Sequence, residues 1–165
     1  MNQEFRQDRR HFLATASVVA MVSATSTQAA GAVLPAPQSL ADELAKALEK
    51  GSPLVVMVSL EGCPFCRVAR DSYLEPLRRQ EGIPVVQIDM RSGRAVRDFT
   101  GSALTHEQLV EAWRVTIAPT VLFFGPRGKE VVARMEGGYI ADFYGAYLDQ
   151  RIEQARAAIK SSMPG

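Results

Sequence analysis

The sequence predicts an α/β domain in which strands and helices alternate and a cysteine pair opens a helix. Near-continuous apolar runs at Leu54 to Leu60, Ile83 to Asp89 and Thr120 to Phe124 read as strands buried on both faces, and amphipathic segments separate them. Gly125-Pro126-Arg127-Gly128 supplies turn residues after the third run, so Thr120 to Phe124 and Glu130 to Arg134 read as a hairpin. The only two cysteines stand in one tetrapeptide, Cys63-Pro64-Phe65-Cys66, directly after the first run.

Residues 1–32 read as an export signal rather than as fold. Arg6, Arg9 and Arg10 precede a stretch of small and apolar residues from Phe12 to about Ala24, followed by Ala29, Ala30 and Ala32 in a cleavage-site-like context. The apolar part is too short and too rich in Ser and Thr for a transmembrane helix, which needs about 20 largely apolar residues. Arg9-Arg10-His11-Phe12-Leu13 resembles the twin-arginine export motif, with Asp8 where that motif carries Ser or Thr; an ordinary secretory signal with a chance arginine pair is the alternative. Removing this segment leaves 16 basic and 16 acidic side chains of the 19 and 18 in the chain. A near-neutral remainder argues against nucleic acid as a partner, and no membrane span is expected once the signal is gone.

Val33 to Gln38 reads as a linker, and 39–160 as the domain, with 161–165 a short tail. Ser39 can cap a helix carrying Leu40, Leu44 and Leu48, which Gly51-Ser52-Pro53 ends. Thr105-His106-Glu107-Gln108 has capping-box spacing and opens a helix with Leu109, Val110 and Trp113 inward; His106 is then expected at the surface. The final helix presents Ile140, Phe143, Tyr144, Tyr147, Leu148, Ile152, Ala155 and Ile159 at steps of three and four, a core-packing stripe.

The cysteine tetrapeptide carries the chemistry. A thiol attacks as its thiolate, and unpaired N–H groups at a helix start lower the pKa of the first cysteine. Two intervening residues put Cys66 one turn further on, where it can resolve a mixed disulfide. Half of a zinc site has the same spacing, but two cysteines cannot supply four ligands, and His11 and His106 lie far from the motif. No metal and no cofactor beyond the Cys63-Cys66 pair itself are therefore expected; a pair of inert buried thiols is the remaining alternative.

From Leu54 to about Leu148 the chain resembles the SoxW-like group of exported thioredoxin-related proteins. The likeness rests on Gly62-Cys63-Pro64-Phe65-Cys66, the strand ending at Asp89, Asp98-Phe99-Thr100-Gly101-Ser102-Ala103-Leu104, Trp113-Arg114-Val115 leading to Ala118-Pro119-Thr120, Gly128-Lys129-Glu130-Val131, and Gly138-Tyr139. It implies the thioredoxin fold, a central mixed sheet flanked by helices, with Pro119 as the cis-proline facing the dithiol. Ala118 would then offer its backbone to an extended substrate strand. Several positions depart from ordinary thioredoxins: Met57 stands where they bury an acid, Gly62 replaces a tryptophan, and Pro64-Phe65 brings the motif closer to the Cys-Pro-Tyr-Cys of glutaredoxins. Glu61 could relay protons and Arg67 could favour a thiolate, although a solvated loop glutamate and a solvated helix arginine are the plainer readings.

These features point to a periplasmic thiol:disulfide oxidoreductase acting on client proteins that carry disulfides. The resemblance implies a membrane thiol electron donor of the DsbD or CcdA kind. A disulfide-forming oxidant would use the same residues at a higher potential, and a non-catalytic binding module would use only the groove near Pro119. Copper delivery would need further His or Met ligands, and Met57 is expected to be buried.

Overall fold

The computed structural model describes residues 33–138 and 141–162; the proposed export signal and the end of the tail lie outside the described residues, as does Ile140. Helix α1 (Leu40–Glu49) begins at Ser39, whose side chain accepts from the Asp42 N–H at 3.2 Å. Strand β1 (Leu54–Ser59) follows, then the helical stretch 64–80, which comprises α2 (Pro64–Val68), a π-helical stretch (Ala69–Leu74) and α3 (Glu75–Gln80). Pro76 has no N–H to continue the α-helical ladder, and at the junction the Glu75 N–H bonds to the Arg70 carbonyl five residues back. Strand β2 (Val85–Asp89), the small hairpin β3 (Ala95–Arg97) and β4 (Ala103–Thr105), helix α4 (His106–Ala112), strand β5 (Thr120–Gly125), the short strands β6 (Lys129–Glu130) and β7 (Met135–Glu136), and helix α5 (Ala141–Ser162) complete the order.

The main sheet runs β2-β1-β5-β6, with β7 also paired to β5. β1 and β2 are parallel and the other pairs antiparallel, so the sheet is mixed, as the fold expected for this chain requires. All six residues of β1 and of β5 are buried because the sheet separates two cores. Val55, Met57, Val85, Val121 and Phe123 pack on one face against Cys66, Ala69, Leu74 and Leu77 of the 64–80 stretch and against α5. Leu54, Val56, Val58, Val86, Ile88, Leu122 and Phe124 pack on the other face against α1 and α4. Alternating side chains of one strand thus feed opposite layers, each large buried one contributing roughly 1.5–3 kcal/mol.

Four expectations need correction. The strand expected at Glu130 to Arg134 is interrupted: pairing with β5 holds at 129–130 and again at 135–136, and the chain bows out between. Arg134 anchors that bow by donating to the Glu130 carboxylate and, at 3.0 Å, to the Trp113 carbonyl. Residues 34–38 are no slack linker; Leu34 is buried in the core, and the Pro35 and Gln38 carbonyls accept from the Gln87 and Arg97 N–H groups at 2.9 Å each. On α5 the buried stripe is Tyr144, Leu148, Ile152, Ala155 and Ile159, whereas Phe143 and Tyr147 sit one step round the helix and are exposed.

His106 is the fourth. The capping box forms as expected, with Thr105 and Gln108 satisfying each other's backbone N–H groups. It turns the first residue of α4 inward rather than outward: His106 is completely buried, and its Nδ1 accepts from the Asp89 N–H at 3.1 Å. Two backbone bonds, His106 N–H to Arg94 O and Glu107 N–H to Ser92 O, tie the same helix start to the loop after β2.

Candidate functional site

The dithiol stands where β1 hands over to α2. A turn closed by the Cys63 N–H to the Leu60 carbonyl, 3.2 Å, reverses the chain, and Gly62 at φ +74° occupies the left-handed region that a side chain would disfavour. Cys63 is the N-cap of α2, its sulfur accepting from the Cys66 N–H at 3.1 Å, and Pro64 takes a first-turn position where a missing N–H costs nothing. Both cysteines are free thiols, Cys63 half-buried and Cys66 buried at 1% exposure.

Burial pushes the Cys66 thiol up to about 11, and the neighbouring Cys63 sulfur reinforces the shift. The Leu60 backbone and the Ser59 hydroxyl pull the other way. The two sulfurs therefore differ in kind. One sits at an open helix start with an N–H pointed at it; the other holds its proton inside the first turn.

Across from Cys63 the Ala118–Pro119 peptide bond is cis, and the Cys63 thiol points at the Ala118 carbonyl at 3.9 Å. The Thr120 hydroxyl donates to the Ile117 carbonyl at 2.7 Å, and the Gly137 N–H to the Pro119 carbonyl at 2.8 Å, so this loop is fastened on both sides. Phe65 and Ile117 form an apolar rim, 63% and 48% exposed. Phe65 lies over Gly138, where an added Cβ would come within 2.9 Å of the ring.

On the other side of the dithiol a groove of about 1240 Å³ runs between α2 and the end of β2. Ser59, Cys66, Gln87 and Asp89 line its inner part, and Glu61, Arg67, Arg70 and Arg91 its charged rim. Gln87 donates from Nε2 to Asp89 Oδ1 at 2.7 Å, while its Oε1 is buried without a partner. Arg70 is paired with Asp71 at 2.9 Å. Below this wall, burial holds the His106 imidazole under its ordinary 6.5; Arg94 acts in the same direction and Asp89 opposes.

The structure thus brings together Cys63, Pro64, Phe65, Cys66, Ala118 and Pro119, the residues singled out in the sequence. Met57 is fully buried in apolar surroundings, and Glu61 and Arg67 stand on the groove rim without a bond to either sulfur. Sequence reasoning missed Ser59, Gln87 and Asp89. Strand alternation carried the signal, since residues two apart on β1 and β2 must share a face. Among the described residues no cluster of three or more His, Cys, Asp or Glu is gathered for a metal ion, and no helix is long and apolar enough to cross a membrane.

The model of the thioredoxin-like domain matches residues 40–152. No curated protein matches the chain. Among solved structures it is similar to Fasciola hepatica thioredoxin, with 21% identity over 74% of this chain and 99% of that one, TM-score 0.49. It is also similar to the oxidoreductase DsbH, with 20% identity over 79% and 88%, TM-score 0.49. The reduced periplasmic thioredoxin SoxS of Paracoccus pantotrophus gives 22% identity over 62% and 98%, TM-score 0.42. With a mixed sheet between helical layers, a cysteine pair at a helix start and a family match over more than half its length, the chain belongs to the thioredoxin-like family.

Proposed function

We propose that this protein is an exported thiol:disulfide oxidoreductase of the SoxW-like kind that reduces disulfides in client proteins in the periplasm. One observation carries the reading: a half-exposed N-cap sulfur faces a fastened cis-proline loop while its partner sulfur lies buried in the first helical turn. Cys63 attacks the client disulfide, the client strand lies along the Ala118 backbone, and Cys66 displaces the reduced client by closing the Cys63–Cys66 bond. The exposed Phe65 and Ile117 give that strand an apolar bed. A membrane thiol donor of the DsbD or CcdA type returns the protein to the dithiol.

The surroundings of Cys63 support the reducing direction. A strong oxidant needs a heavily stabilised thiolate, and Phe65 offers it neither a hydrogen bond nor a charge. We therefore expect a potential in the reducing half of the range from about −270 mV for thioredoxin to about −120 mV for DsbA. Equilibration in glutathione buffers, together with a turbidity assay on a protein disulfide, tests both statements. A potential at the DsbA end without reductase activity would transfer the assignment to a disulfide-forming oxidant. Undiminished function of a Cys63→Ser, Cys66→Ser double variant would make the protein a binding module.

A further inference from the structure

We infer that Ser59 and Asp89 form the route by which Cys66 loses its proton when it resolves the mixed disulfide, Ser59 standing with Cys66 in the groove wall and Asp89 receiving the proton there. The inference rests on the dithiol mechanism proposed above and adds the base that the mechanism lacks.

Cys66 must become a thiolate before it can attack, and a buried thiol does not give up its proton readily. The position where ordinary thioredoxins bury an acid is Met57, which lies at zero exposure among Val55, Cys66 and Val121. No proton leaves through that side. Two residues on, the same face of β1 carries Ser59, which lines the groove together with Cys66 and whose hydroxyl favours the Cys66 thiolate. Register pairs Ser59 with Asp89 on the neighbouring parallel strand and Met57 with Gln87, so all four side chains stand on the face that carries the dithiol. Ser59, Cys66, Gln87 and Asp89 line one solvent-open groove, and Gln87 Nε2 holds Asp89 Oδ1 at 2.7 Å.

The charged groups around Asp89 come from every neighbouring element. Arg67 of α2, Arg70 of the π-helical stretch, Glu61 before α2 and Arg91 after β2 line the same groove; from α4, His106 accepts the Asp89 N–H. Arg70 is engaged by Asp71, so Arg67 and Arg91 stand against Glu61 and Asp89 in this groove.

The step balances as follows. In the mixed disulfide Cys63 is bonded to the client sulfur. Cys66 passes its proton to the Ser59 oxygen as Ser59 releases its own hydroxyl proton across the groove solvent to the Asp89 carboxylate. The freed electron pair on Cys66 forms the Cys66–Cys63 bond, the Cys63–client bond breaks, and the client leaves as a thiolate that takes a proton from solvent. Two electrons have passed from the dithiol to the client, and Asp89 returns its proton to the groove.

The test follows resolution without any client. The reduced full chain is mixed with one equivalent of an aromatic disulfide that releases a coloured thiolate at each exchange. The first release reports attack by Cys63 and the second reports resolution by Cys66. At neutral pH, Ser59→Ala and Asp89→Asn should each slow the second release relative to the first by about a hundredfold. The deficit should close as the pH rises to where Cys66 ionises unaided, and Asp89→Glu should recover part of the rate. A second release insensitive to either substitution, or slowed by one factor at every pH as a packing defect would do, overturns the relay alone. Absence of a second release in the unsubstituted protein overturns the relay and the dithiol mechanism together. A substitution-sensitive second release in a protein that reduces no protein disulfide supports the relay and overturns only the client assignment.

Discussion

Acid should destabilise this domain through His106. The imidazole is completely buried, accepts the Asp89 N–H at Nδ1, and has no partner for Nε2. Protonation would remove the acceptor and place a charge in a buried site that Asp89 offsets only in part, so burial holds its pKa below the ordinary 6.5. Because the folded value is depressed, the unfolded chain binds more protons as the pH drops under about 6.5, and stability intact above that point is lost as the pH falls toward the folded value. One proton taken up only on unfolding gives a slope of at most about 1.4 kcal/mol per pH unit. Between pH of about 7 and about 5 the loss reaches about 2 kcal/mol if the folded imidazole stays neutral throughout. Urea denaturation of the protein and of His106→Asn, which keeps an acceptor near the Asp89 N–H, measures the difference. The variant is expected to be weaker at neutral pH yet flatter with pH. Parallel pH profiles, or an imidazole resonance in the folded protein titrating above 6.5, would refute the reasoning.

Three further outcomes follow. Alkylation of the reduced protein at mildly acidic pH should label Cys63 first, and Cys66 should react only in strongly alkaline solution; the reverse order would exchange the roles of the two sulfurs. Phe123→Ala empties a fully buried site and should cost about 3–5 kcal/mol in urea denaturation. Cleavage near Ala29 to Ala32 should show in the intact mass of exported protein, and Arg9→Lys with Arg10→Lys should block export by the twin-arginine route.

The strands, the capped helices and the dithiol were legible because each rests on local chemistry. An unbroken apolar run can be buried on two faces, Ser39 and Thr105 can cap, and two cysteines two residues apart at a helix start can exchange electrons. What escaped depended on partners distant in sequence. His106 looked like a surface residue because its burial is decided by Asp89, on a strand seventeen residues earlier. The break in the strand after Glu130 depends on the Trp113 carbonyl, and the burial of Leu34 on a core assembled from elements spread over the rest of the chain. Ser59 reads as one more residue of the run Leu54 to Leu60 because its place beside Asp89 comes from register, which a single strand does not reveal.

The strap at 34–38 and the bow between β6 and β7 determine where the main sheet can accept another chain. Along β2, the Pro35 carbonyl takes the outward Gln87 N–H, and Pro35 and Pro37 have no N–H of their own to offer a newcomer. Beyond β5, pairing is split and the chain swings away between Glu130 and Met135, so no straight ladder is presented. Both flanks are thus poor docking edges, and under the proposed function the client strand would be left the short backbone segment at Ala118, beside Cys63. Edges that offer an added strand so little pairing elsewhere would, under that function, confine a client to the one place where its disulfide lies beside the dithiol.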